Sequence, residues 1–210
     1  MKQNQRKKYI ETIVIMGVLL GIIILMAFTP LGYLPIGPVS ITLLMIPVAI
    51  GAISLGEKGG IFLGFAFGMT SFVQCFGKDF FGTYLAQQNV VFTFIMCVLM
   101  RTLAGYIAAL VYKVFSKAKV PVFISCAATG LVASLSNTVL FVGSLLILFG
   151  KTTTSEAVGG ILSPDLNFIN FFAAFVGINA IWEALAATIL VGAIGFGLYK
   201  AHLIGGKKEA

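Results

Sequence analysis

Residues 37–77 read GPVSITLLMIPVAIGAISLGEKGGIFLGFAFGMTSFVQCFG: two apolar stretches joined by one charged knuckle, Gly56-Glu57-Lys58-Gly59-Gly60. The first predicts a helix over residues 41–55, short for a bilayer and containing Pro47 and Gly51; the second predicts a helix over residues 61–76. A turn that tight forces the two into an antiparallel pair. Gly60, Gly64 and Gly68 recur at four-residue intervals, so one side of the second helix is bare backbone against which a neighbour can pack closely. The pair is expected to be the static spine of a membrane-embedded helical bundle.

The rest of the composition agrees. Of 210 residues, 59% are hydrophobic and 10% charged, and the mean hydropathy is +1.05. That leaves too few polar side chains to cover a water-soluble surface, and the chain belongs in a bilayer. The net charge of +7 does not point to nucleic acid, because the basic residues sit in short clusters between apolar segments. The basic start, residues 1–8, leads into an apolar run over 13–28 that ends in Thr29-Pro30 instead of a small-residue cleavage site. It is read as a first transmembrane helix and not as a signal peptide.

Six spans fit: residues 9–28, 41–55, 60–76, 89–115, 120–149 and 167–199. An even number returns the chain to its starting side. That side holds Lys2, Arg6, Lys7, Lys8, Lys58, Lys113, Lys117, Lys119, Lys200, Lys207 and Lys208, whereas the opposite loops carry Lys78 and Lys151. The excess of bases predicts that both termini are cytoplasmic. The fifth and sixth segments exceed what is needed to cross about 30 Å at 1.5 Å per residue, so they tilt, kink or protrude. Between them, residues 151–167 hold Thr152, Thr153, Thr154, Ser155, Gly159, Gly160 and Pro164, a turn-rich composition suited to a lid or a surface loop. No internal repeat or linker divides the chain, and residues 1–210 read as a single integral membrane domain in the all-α class.

Two charges fall inside apolar segments. Arg101 and Glu183 each sit near a helix centre, where a charge costs about 2.5–3.5 kcal/mol on insertion scales and has to be compensated. Arg101 shares a stripe with Thr93, Cys97 and Gly105; Glu183 follows Asn179 by one turn; and Gly130, Ser134, Asn137, Phe141 and Ser144 form a third small and polar face. Three such faces converging describe a cavity. Either Arg101 and Glu183 lock two helices by pairing, or they contact a solute, and a bound carboxylate competing for the guanidinium would link the two states. The planar fork of Arg suits a carboxylate-bearing solute. Tyr33, Gln74 and Trp182 are further candidates for stacking or hydrogen bonds, although an interfacial belt for Tyr33 and lipid-facing or core packing for Trp182 explain the two aromatics at least as well.

Enzymatic chemistry finds no foothold. Cys75, Cys97 and Cys126 are odd in number and widely spaced, and with a lone His202 they give no metal or disulfide framework. Gly150-Lys151-Thr152 lacks the earlier glycine of a phosphate loop, since position 145 is Leu145, and an apolar helix precedes it in place of a strand. Paired carboxylates and an activated nucleophile are likewise missing from the sequence, so neither a catalytic role nor a cofactor is expected.

Six spans with cytoplasmic ends, the pair Gly17 and Gly21 on the first helix, the run Gly37-Pro38-Val39-Ser40-Ile41-Thr42, Ile46-Pro47, Gly51-Ala52 and Leu55-Gly56, and the Gly-rich third helix ending in Thr70-Ser71-Phe72 resemble the substrate-binding S component of energy-coupling factor (ECF) transporters. The resemblance covers nearly the whole chain and is strongest to the pantothenate-specific type. It implies high-affinity vitamin binding in a pocket near the outer surface, roofed by the loop after the first helix and lined by the last three. It also implies a transmembrane coupling (T) subunit and two cytoplasmic ATPases as partners, with the loaded subunit toppling in the lipid. By the same resemblance, Gly17 and Gly21 would dock on the coupling subunit, Tyr33 would belong to the lid, and Arg101, Asn137, Asn179 and Glu183 would line the pocket. Folate, niacin or another acidic vitamin would satisfy the same carboxylate argument. A stand-alone permease or a structural membrane protein are the competing classes.

Overall fold

Gly56 adopts φ 66° and ψ −151°, left-handed backbone that a side chain resists, and there the chain turns back on itself. The computed structural model describes residues 2–29, 32–36, 39–149, 168–201 and 203–204. Its second helix, α2 (Met45–Gln74), is two arms meeting at Gly56. A Cβ placed on Gly51 would strike Leu63, twelve residues on, whereas a straight helix would separate the two by about 18 Å. The arms are therefore folded against each other, as the charged knuckle predicts.

The other elements follow in order: α1 (Lys2–Phe28), strands β1 (Tyr33–Ile36) and β2 (Val39–Thr42), then after α2 the short helices α3 (Phe80–Gln88) and α4 (Val90–Phe94), a π-helical segment (Ile95–Leu99), α5 (Met100–Lys117), α6 (Val122–Phe149) and α7 (Phe168–Lys200). Five helices are long and apolar enough to cross a membrane among the described residues, with α2 counted once. The segment 151–167, read from sequence as a lid or surface loop, lies outside the described residues, as do His202 and the basic C-terminus.

One element departs from an all-helical reading. Tyr33–Ile36 and Val39–Thr42 form an antiparallel ribbon with Tyr33 opposite Thr42 and Ile36 opposite Val39, so α2 begins at Met45 and not at residue 41. Local chemistry fixes the short elements that follow. Asp79 Oδ2 accepts from the Gly82 N–H at 3.0 Å and starts α3; Asn89 Oδ1 accepts from the Phe92 N–H at 3.1 Å and starts α4. At the end of α1, the Thr29 hydroxyl donates to the Leu25 carbonyl and Gln74 Nε2 donates to the Ala27 carbonyl at 2.8 Å. Carbonyls without a partner in the last turn of α1 are thereby satisfied.

The glycine stripe of α2 packs on α5 and the π segment. Gly60 abuts the Gly105 carbonyl; a Cβ on Gly64 would lie 2.6 Å from the Arg101 carbonyl oxygen; one on Gly68 would lie 2.7 Å from the Val98 Cα. Backbone therefore meets backbone along the whole contact, and the stripe sets how deep Arg101 sits. On the far side of the bundle, α6 packs against both α5 and α7, with Gly130 pressed to the Ala187 carbonyl. The main core gathers Leu19 and Ile23 from α1, Leu63 and Phe67 from α2, Ala104 and Ala108 from α5, Ala133 from α6 and Val191 from α7. A smaller cluster of Cys75, Leu85, Met96, Cys97, Val98 and Leu145 lies beneath α3.

Candidate functional site

The Arg101 guanidinium lies between two aromatic rings, 4.8 Å from the centre of Phe67 on α2 and 5.5 Å from that of Phe141 on α6. The ring quadrupoles offset part of the cost of holding the charge among apolar helices. Nη1 donates to the Cys97 carbonyl at 3.2 Å, and Nε is buried without an acceptor. Of five donors, one is in use among the described residues. The π turn contributes directly to this arrangement. The Met100 N–H reaches back five residues to the Ile95 carbonyl, and the widened turn keeps Met96, Cys97 and Val98 all buried above Arg101.

Glu183 is 7% exposed on α7. It does not pair with Arg101: the ion pair found among the described residues is Lys113–Glu57, at 2.6 Å on the surface. Instead Glu183 Oε1 accepts the Thr42 N–H at 2.7 Å. The ribbon makes that N–H available. The Leu43 N–H donates to Gly32, which faces it across the ribbon, so by alternation Tyr33 and Thr42 are a non-hydrogen-bonded pair whose N–H groups point out of the ladder. A carboxylate in mid-helix thus holds the outer edge of the ribbon.

The polar face of α6 points inward as its spacing predicts. Ser134, Asn137 and Ser144 are buried, and no hydrogen bond among the described residues uses the Asn137 amide, which is 8% exposed. Asn179 lies one turn before Glu183 and is half-buried. Gln74 is buried and spends its Nε2 on α1, while Trp182, at 54% exposure, faces outward. Tyr33 stands on β1 directly across from Thr42. Among the described residues no neighbour stands within 4 Å of where a Cβ on Gly17 or Gly21 would lie, so they leave this face of α1 open, flanked by exposed Ile13, Val14 and Val18. An open depression of roughly 330 Å³ at the α2–α3 connection is lined by Gly77, Lys78, Thr83, Tyr84 and Gln87, and none of the candidate residues lines it.

The structure therefore joins Arg101 to Phe67 and Phe141, and Glu183 to Thr42. Phe67 and Thr42 were not among the sequence candidates. Phe67 sits on the same arm as the glycine stripe, but nothing in its spacing distinguishes it from core. Thr42 acts through its backbone, which residue type does not reveal.

Residues 11–205 match the family described as ECF transporter, substrate-specific component. The chain belongs to that family. As an ECF substrate-specific component it is a multi-pass protein of the bacterial cell membrane and a transport subunit, in a family that carries no enzymatic role and whose members bind a vitamin and work with a T subunit and ATPases. It is 32% identical over 199 residues to a pantothenate transporter of Leuconostoc mesenteroides subsp. mesenteroides, a match covering 91% of this chain and 92% of that protein. It is 30% identical over 174 residues to a pantothenic acid transporter of Lactococcus lactis subsp. cremoris, covering 79% of this chain and 81% of the relative.

Proposed function

We propose that this chain is the pantothenate-binding subunit of an ECF transporter, with the solute carboxylate held by Arg101. The observation that carries the reading is the Arg101 guanidinium, stacked between Phe67 and Phe141, unpaired with Glu183 and holding a buried Nε without an acceptor. The names of the two relatives supply the choice of vitamin. Asn137, Asn179 and Glu183 take the hydroxyl and amide groups, Gln74 borders the site from α2, and Tyr33 belongs to the lid formed by the ribbon. Counting the arms of α2 separately gives six spans, with both termini in the cytoplasm by the distribution of basic residues. Gly17 and Gly21 form the face that docks on a T subunit served by two ATPases; the open surface around them supports this reading.

The test is uptake of labelled pantothenate by cells that lack their own system, with the chain expressed together with a coupling module or without it. Uptake only in the presence of the module, and abolished when its ATPases are inactivated, is the expected result. Uptake by the chain alone would make it a self-sufficient permease.

A further inference from the structure

Cys75 and Cys97, 22 residues apart, bring their sulfurs to 3.7 Å of each other. Both are buried and belong to the cluster beneath α3. Cys75 Sγ also donates to the Ser71 carbonyl at 3.4 Å, which keeps it aimed off the end of α2. Above it stands Gly82, where a Cβ would lie 2.5 Å from Cys75 Sγ, so α3 covers the sulfur with nothing larger than a hydrogen atom. Cys126, the third cysteine, is buried in the main core among other residues. The Cys97 carbonyl is the acceptor that seats Arg101 Nη1.

We propose that Cys75 and Cys97 form an oxidisable thiol pair whose closure to a disulfide re-seats Arg101 and weakens solute binding. The effect on binding rests on the reading of Arg101 given above; the thiol chemistry does not. A small neutral peroxide is the oxidant suited to a buried site. It converts one S–H to S–OH and is itself reduced, leaving as its alcohol, or as water in the case of hydrogen peroxide. The second sulfur then attacks the sulfenic sulfur, the S–S bond forms, and hydroxide leaves and takes up the second thiol proton as water. The sulfurs close from 3.7 Å to about 2.0 Å, and that movement is transmitted to the Cys97 backbone. The Cys97–Val98 backbone already packs closely on the main chain of α2 at Gly68, too closely for even a methyl group there, so the movement passes into the turn carrying Arg101.

The experiment uses the full chain in lipid nanodiscs, treated with hydrogen peroxide and then with a phosphine reductant. Thiols are counted after denaturation, the cross-link is mapped by peptide mass, and the Kd for pantothenate is measured at each stage. Free thiols are expected to fall from three to one, with Cys126 remaining, a Cys75–Cys97 peptide to appear, and Kd to rise about tenfold and recover on reduction. Cys75→Ser is expected to form no cross-link and to hold its Kd through the peroxide step. Retention of all three thiols, loss of Cys126 in place of the pair, or a cross-linked chain whose Kd is unchanged would each overturn the proposal. Should the reduced chain bind no pantothenate, the assignment of the solute fails, and the thiol count alone then decides whether the pair exists.

Discussion

The Thr42 backbone N–H donates to Glu183 Oε1 across 2.7 Å, so a carboxylate on α7 holds the edge of a ribbon that lies 141 residues earlier in the chain. Hydrogen bonds to charged groups are worth about 1.5–3 kcal/mol, or roughly ten- to a hundredfold in an equilibrium. Glu183→Ala is expected to free the ribbon and to raise the dissociation rate of labelled pantothenate by about tenfold or more. Glu183→Gln keeps an oxygen acceptor for Thr42 and should lose much less. Stopped-flow displacement by unlabelled solute distinguishes the two. Equal losses in both variants would mean that the charge, and not the tie to the ribbon, is what matters.

Arg101→Ala removes the guanidinium held against Phe67 and Phe141, and affinity for pantothenate should fall by about a hundredfold or more while thermal unfolding stays close to that of the parent chain. Arg101→Lys keeps the charge but loses the planar fork that stacks between Phe67 and Phe141, and should fall in between. The alcohol analogue of pantothenate provides the cross-check. It should bind the parent chain as poorly as pantothenate binds Arg101→Ala, and the two losses should not add.

The glycine stripe makes a prediction about stability. A methyl group on Gly60 or Gly105 meets backbone of the opposing helix, which cannot rotate away, so Gly60→Ala and Gly105→Ala should each destabilise the bundle by about 1–3 kcal/mol. Gly17→Ala and Gly21→Ala meet no neighbour within 4 Å among the described residues and should not lower the unfolding midpoint. Thermal unfolding in nanodiscs measures all four.

Gly17→Leu with Gly21→Leu fills the open face of α1 without touching the bundle. Binding of pantothenate by the purified chain should be preserved and uptake in cells carrying the coupling module should collapse. Unimpaired uptake would remove these two residues from the docking face.

The folded-back arms of α2 were legible because a knuckle of three glycines and two charges has few other uses between apolar runs. The inward direction of Arg101 was legible because a charge at that depth has nowhere else to go. Contacts between distant segments were not. The two four-residue strands of the ribbon, Tyr33–Ile36 and Val39–Thr42, are too short for alternation to distinguish them from a loop, and the tie to Glu183 uses a main-chain N–H. The π turn at residues 95–99 leaves no trace in a search for 3.6-residue periodicity. It is that turn, packed against Gly68, that brings Cys97 to Cys75, so two cysteines that look unrelated in the sequence become neighbours.

Equilibrium binding of labelled pantothenate to the purified full chain in nanodiscs, run beside folate and niacin, tests the central claim most directly. Tight, saturable binding of pantothenate alone, lost in Arg101→Ala, is the predicted result. A folded chain that binds none of the three, or that binds pantothenate equally well without Arg101, would contradict it.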